Sequence, residues 1–192
     1  MNIVIFGPPG AGKGTQSNFI VKKFKLHQLS TGALLRNEIH NKTNLGKKIS
    51  SIINVGNLVS DEIVGNLIEK YVSNSIYENK LIFDGYPRNL IQAKYLDKLL
   101  NKHNQKINLA LKLSVGLETI KLRISERKYL EKRDDDNETI ALKRYETYEK
   151  NIKPVTDFYK KYNLLKVING ERPISQISEE ISGLINSIKG WL

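Results

Sequence analysis

Cysteine is absent from the 192-residue chain, which excludes disulfides and any thiolate metal site. No apolar run reaches the roughly 18 residues that a membrane-spanning helix needs. No charged-then-apolar leader precedes the first apolar stretch, Asn2 to Phe6, so the start reads as structural. Internal repeats, low-complexity tracts and Pro/Gly/Ser linkers are also missing, and the length suits one domain with a sizeable core. These absences point to a soluble, cytoplasmic protein. Histidine occurs three times, as His27, His40 and His103, each outside the motifs below and therefore read as structural or surface. Acidic residues are outnumbered: 31 Lys and Arg face 20 Asp and Glu, for a net charge of +11. Nucleic acid, acidic membrane and free nucleotides would all suit that charge. No basic run marks a nucleic-acid arm, however, and scattered lysines mostly make a solvated surface.

What the chain does have is alternation. Apolar strand candidates at 2–6, 26–30, 80–84, 109–115 and 164–168 are separated by helical patterns near 13–24, 31–41, 44–55, 61–73, 89–101, 116–127 and 138–162. A last helix follows Pro173, with Ile174, Ile177, Ile181, Leu184, Ile185 and Ile188 at spacings of three and four. Ser60 before Asp61 and Glu62 reads as a helix cap with acids in the first turn. Continuous apolar strands between helices predict an α/β fold, a parallel sheet covered on both faces. Ligands of such sheets gather at the carboxyl ends of the strands. There the two least ordinary stretches follow, "GPPGAGKGT" (7–15) and "DGYPR" (84–88).

"GPPGAGKGT" nearly spells the phosphate-binding loop G-x-x-x-x-G-K-[ST], in the required strand–loop–helix context. Backbone N–H groups of such a loop point at phosphate oxygens, the helix dipole adds to them, and Lys13 supplies a mobile charge. This predicts a nucleoside triphosphate site. Gly14 stands where the magnesium-binding hydroxyl usually sits, and the hydroxyl comes one residue late, at Thr15. That departure points away from GTPases and motor ATPases, which rely on the hydroxyl ligand.

Arginine is scarce, only 7 of the 31 basic residues. In a lysine-rich chain an arginine stands out for its planar, permanently charged fork, which grips phosphate in a bidentate fashion. Arg123, Arg127, Arg133 and Arg144 crowd around one presumptive loop, Arg88 follows "DGYP", and Arg36 and Arg172 complete the set. A converging anion site follows from this distribution. A kinase acting on an alcohol needs a carboxylate to take the hydroxyl proton. A phosphate acceptor is already anionic, so the task becomes uniting two polyanions and stabilising the charge on the transferring group.

"GPPGAGKGTQ" resembles the signature loop of nucleoside monophosphate kinases. "LSTGALLR" (29–36), "GNLVSDEIV" (56–64), "DGYPRNLIQA" (84–93), "RDDDNETI" (133–140) and "NGERP" (169–173) extend the resemblance over nearly the whole chain, in the order found in the adenylate kinase family. The resemblance implies a P-loop three-layer fold with a five-stranded parallel sheet and helices on both faces. It implies a single kinase domain over 1–192, containing a small helical monophosphate-binding segment at 30–59 and a short lid at 127–137. Only Lys128 to Lys132 separate Arg127 from Arg133, leaving no room for the hairpin of long-lid relatives, and the missing cysteines leave no zinc site there.

The resemblance also implies roles. Gly10, Ala11, Gly12, Lys13, Gly14 and Thr15 would wrap the ATP phosphates, with Arg123 and Arg127 beside them and Arg172 near the adenine. Arg133 and Arg144 would reach the phosphoryl groups from the lid side, where Asp135 and Asp136 resemble an acidic pair that orients arginines. Arg36 and Arg88 would clamp the AMP phosphate, and Asn57, Leu58, Val59, Gly85, Tyr86 and Pro87 would line its site. Lys13, Asp84, Arg88, Arg127, Arg133 and Arg144 would carry the catalysis, with Asp84 holding Mg²⁺ through water. Thr31 and Gln92 would address the adenine, since a Gln amide offers donor and acceptor to that edge. UMP/CMP kinases tend to have Ala and Asn at those two places and remain the alternative. Ala33 stands where the family often has an acid, Lys128 where it has a second arginine, and Tyr86 where Phe is commoner. The implied reaction is ATP + AMP ⇌ 2 ADP, in a cytoplasmic monomer with no nucleic-acid or membrane partner. A nucleotide-gated nucleic-acid module and a simple ATPase are the readings from other classes.

Overall fold

The structure, a computed structural model, describes residues 1–131 and 138–189, the side chains at 127–131, 138 and 189 excepted. Five strands form one sheet: β1 (Asn2–Phe6), β2 (His27–Ser30), β3 (Leu81–Asp84), β4 (Ile107–Ser114) and β5 (Leu165–Asn169). Their order is β2-β3-β1-β4-β5, and every neighbouring pair is parallel. Eight α-helices connect them among the described residues: α1 (Lys13–Phe24), α2 (Thr31–His40), α3 (Asn44–Asn54), α4 (Asp61–Val72), α5 (Leu90–Lys102), α6 (Leu117–Glu131), α7 (Glu138–Lys161) and α8 (Ile174–Lys189).

The pleat sorts each apolar strand into two faces. Ile3 and Ile5 of β1, with Ile82, Leu109 and Leu111, pack against Ile20 of α1 and Ile177, Ile181 and Ile185 of α8. Val4 and Phe6, with Leu29 and Phe83, pack on the other side against Ile68 of α4, Leu96 of α5 and Val155 and Tyr159 of α7. Such strands are buried on both faces, which is why they read as unbroken apolar runs rather than alternating ones. The helix after β1 therefore lies on one face and the helix after the adjacent β3 on the other. The crevice at their carboxyl ends is the topological switch point of the sheet.

Two boundaries differ from the sequence reading by two residues or more, each for a physical reason. β4 starts at Ile107 because Ile107 pairs with Asn2 across a register irregularity, and the polar Asn108 had masked that start. Asn108 is there to accept from the Asn2 N–H at 2.8 Å. α6 continues to Glu131, so residues 127–131 of the expected lid prolong the helix. α7 passes through Pro154, which removes one intrahelical N–H donor. Ile152, Val155 and Tyr159, all buried on the sheet, hold the helix together there.

α2 and α3 form a helical hairpin over 31–54, within the expected monophosphate-binding segment. It is tight: a Cβ on Gly46 would lie 2.0 Å from the Glu38 carbonyl oxygen, so only glycine allows this approach. Thr43 caps α3 through Gly46 N–H at 2.9 Å, and Ser60 caps α4 through Ile63 N–H at 3.5 Å. Among the described residues no helix is long and apolar enough to cross a membrane.

Candidate active site

β1 ends in a loop that turns at Pro8, whose carbonyl accepts from Ala11 N–H at 3.2 Å. Gly12, at φ +90°, forms the N-cap of α1 and has no side chain to cap it. The first N–H groups of α1 thus open toward solvent as an anion cradle. Ala11 is buried and contributes backbone, while Gly14 and Thr15 are exposed. A Cβ on Gly12 or Gly14 would meet nothing within 4 Å, so the space before both is open; only the left-handed φ of Gly12 calls for glycine. Gly10 packs on α6, where its Cβ would lie 3.2 Å from Ile124. Lys13 donates from Nζ to the carbonyls of Gly7 at 2.8 Å and Pro8 at 2.9 Å. The amine is thereby folded back over the loop. Behind the loop, buried Gln16 accepts from Ser178 Oγ at 3.0 Å and ties α1 to α8. The sequence offered no sign of that anchor.

Across the crevice β3 ends in Asp84, level with Ile5 of β1 in the parallel register. Asp84 is 7% exposed, and Gln28 Nε2 donates to its Oδ2 at 2.8 Å. The next carbonyl, Gly85, accepts from Thr31 Oγ1 at 2.9 Å and from Arg88 Nε at 2.7 Å. Arg88 is open to the crevice yet walled by protein and faced by two further guanidinium groups, Arg144 and Arg36. The protein walls around it first, then Arg144 and Arg36, lower its pKa to about 10, against the opposing pull of Asp84, although the residue as a whole stays exposed. Arg36 lies over Gly32, whose added Cβ would sit 3.2 Å from Arg36 Nη1; a Cβ added to Gly56 would sit 3.6 Å from Arg144 Cγ. Three cations from α2, α5's leading turn and α7 thus converge on one place. Three guanidinium groups so placed have the chemistry to grip a phosphate group.

The Tyr86–Pro87 peptide is cis. Tyr86 is 1% exposed and its ring belongs to the core, so only backbone from this residue reaches the crevice. Burial raises its phenol above the ordinary range. Val59 is buried, Leu58 half-buried and Asn57 exposed at the edge of the helical hairpin. Gln92 is buried, its Oε1 accepting from Arg88 N–H at 2.7 Å and its Nε2 donating to Asp61 Oδ1 at 2.7 Å. That partner, Asp61, is the acid that opens the first turn of α4.

The third wall combines α6 with the loop after β5. Arg123 donates from Nη2 to Gly170 O at 2.9 Å. Glu171 accepts from Gly116 N–H at 2.9 Å and Thr119 Oγ1 at 3.1 Å, capping the start of α6. Those two hydrogen bonds hold its carboxyl below the usual range. Arg172 turns toward Glu180 of α8 and donates to Asn169 O at 3.4 Å. Its guanidinium is thus spent on the scaffold, and the loop offers backbone. The Arg127 side chain, and Arg133, Asp135 and Asp136 entirely, lie outside the described residues.

A sequence model of one family, described as adenylate kinase, matches residues 5–164. Curated relatives agree over nearly full length. An adenylate kinase of Pelagibacter ubique is 42% identical, covering 96% of this chain and 99% of the relative. One of Cyanothece is 37% identical over 98% and 96%, and one of Methanothrix thermoacetophila 35% over 98% and 100%. With its phosphate loop, its five-stranded parallel sheet and these matches, the chain belongs to the adenylate kinase family.

Proposed function

We propose that the chain performs the reaction for which its family is named, reversible transfer of the terminal phosphoryl group of ATP to AMP giving two ADP, at the switch-point crevice. The observation that carries this placement is the convergence of Arg36, Arg88 and Arg144 opposite the phosphate loop. One wall suits a triphosphate, the other a monophosphate, and the transferring phosphorus would lie between them. An AMP phosphate oxygen attacks in line, and the β–γ bridging oxygen departs with ADP. No base is needed, because the attacking oxygen is already anionic. What the site must supply is neutralisation and alignment. Lys13, released from the Gly7 and Pro8 carbonyls, follows the transferring group, and the backbone around Gly12 and Gly14 holds the donor phosphates. Arg123, Arg127, Arg133 and Arg144 are assigned to the phosphoryl groups, Arg36 and Arg88 to the AMP phosphate, and Thr31 and Gln92 to its base.

Proteins of this family use Mg²⁺ with ATP, and the donor set here fits that use. Asp84 offers one buried carboxylate at the level of the phosphate loop. Among the described residues no three His, Asp or Glu converge, so phosphates and water would complete the shell, and the ion would spread the charge of the transferring group. The assignment extends to a short lid at 127–137 and a monophosphate-binding segment at 30–59 that close to exclude water. The Cyanothece relative aligns over 188 positions, within the length of this chain, whereas the Pelagibacter one needs 211; the former supports the shorter form. It extends also to a cytoplasmic monomer acting on free nucleotides, supported by arginines gathered at the crevice rather than along one face. Initial rates with ATP and AMP, UMP or CMP test the reading. AMP is expected to be fastest, and faster turnover of CMP would overturn the base assignment.

A further inference from the structure

We propose that Asp61 determines specificity as a positioning residue, by locking the Gln92 amide so that it rejects monophosphates whose base edge has the opposite hydrogen-bond polarity. This rests on Gln92 facing the acceptor base. The lock has two ends: Arg88 N–H donates to Gln92 Oε1 at 2.7 Å, and Gln92 Nε2 donates to Asp61 Oδ1 at 2.7 Å. A peptide N–H can only donate and a carboxylate can only accept. Rotating the amide by half a turn would set oxygen against carboxylate and NH₂ against N–H. At a side chain only 3% exposed, neither mismatch can be relieved by water.

Asp61 cannot swing aside to tolerate that rotation. Asn89 Nδ2 donates to both of its oxygens, at 3.1 and 3.2 Å. It is also the first residue of α4, after the Ser60 cap, where the helix dipole favours an acid. Asn89 in turn caps α5 by accepting from Gln92 N–H at 2.8 Å. The carboxylate, the amide and the start of α5 form one closed arrangement.

A side-chain amide carries two donor hydrogens and two acceptor lone pairs. The lock uses one of each, leaving one N–H and one lone pair for a ligand. Adenine presents the complement, an acceptor at N1 and a donor amino group at C6. Hypoxanthine and guanine present the reverse, a donor at N1 and an acceptor at O6, and would need the forbidden rotamer. Inosine monophosphate is the clean probe, since it differs from AMP only along this edge.

The test compares kcat/KM for AMP and for inosine monophosphate, with ATP as donor, in the wild type, Asp61→Asn and Asp61→Glu. Asparagine can rotate together with Gln92, so the AMP preference should fall about tenfold or more. Glutamate keeps an acceptor-only group and should retain it. A merely structural role would lower both rates in Asp61→Asn and leave the ratio fixed, which would overturn the proposal; equal loss of preference in both variants would do the same. If Asp61→Asn does not fold, Asp61→Ser replaces it, with the same expected fall. A wild type that uses both monophosphates equally sinks the lock but leaves the kinase assignment standing. A wild type that makes no ADP from AMP removes both.

Discussion

Replacing Arg88 by lysine keeps a positive charge at the carboxyl end of β3 and removes the planar fork. A bidentate grip on phosphate consists of two charge-assisted hydrogen bonds, each worth about 1.5–3 kcal/mol. Exchanging them for one point charge costs roughly 3 kcal/mol, or about 100-fold in kcat/KM for AMP. Stability should change far less. The bond from Nε to Gly85 O, 2.7 Å long, faces solvent, so its loss costs about 1 kcal/mol or less. Two readouts separate these effects. Initial rates of ADP formation at saturating ATP give kcat/KM, and thermal melts with and without AMP give binding. At 100 times its dissociation constant AMP stabilises the wild type by about 2.7 kcal/mol, or roughly 5–10 °C for a chain of this size. A variant binding 100-fold more weakly gains only about 0.4 kcal/mol at the same concentration. Turnover within about threefold of wild type, or equal protection of both proteins by AMP, would refute the role given to Arg88.

Lys13→Met should lower kcat by roughly 100-fold or more with a far smaller change in melting temperature, because the amine of this partly exposed side chain donates to loop carbonyls; near-normal kcat would remove it from the mechanism. Glu171→Gln should loosen the loop at 169–173 and raise KM for ATP while leaving KM for AMP alone. Glu171 is held below its ordinary 4.5, so its contribution to stability is present above that pH and lost as pH falls through the folded value. Wild type and variant melts should therefore differ at neutral pH and merge in acid. Ile5→Ala, at a fully buried position between α1 and α8, should cost about 2–5 kcal/mol in urea unfolding without altering KM for either nucleotide in the folded fraction.

Much of the fold is legible in the chain because its signals are local. The strands at 2–6 and 81–84 are short apolar runs bounded by turn residues, and α8 declares itself through isoleucines at helical spacing. The phosphate loop is legible for the same reason, since one contiguous segment makes its own cradle. The seven arginines could be singled out by composition, but not their targets. Arg172 and Arg123 each use donors on carbonyls or a carboxylate of the scaffold, a choice set by how α6 and α8 pack. The long-range partners of Gln16, Gln28, Asp61 and Glu171 are beyond the sequence's reach altogether. They are 162, 56, 31 and 55 residues away, and an isolated polar residue carries no periodic signature. Tyr86 is the converse case. It stands within a motif that faces the crevice, yet its own side chain belongs to the core.

The most direct measurement follows ATP and AMP together and counts products. Two ADP should form for every AMP consumed, with little phosphate released when ATP is supplied alone. Steady phosphate release that ignores AMP, with no matching ADP pair, would contradict phosphoryl transfer to AMP.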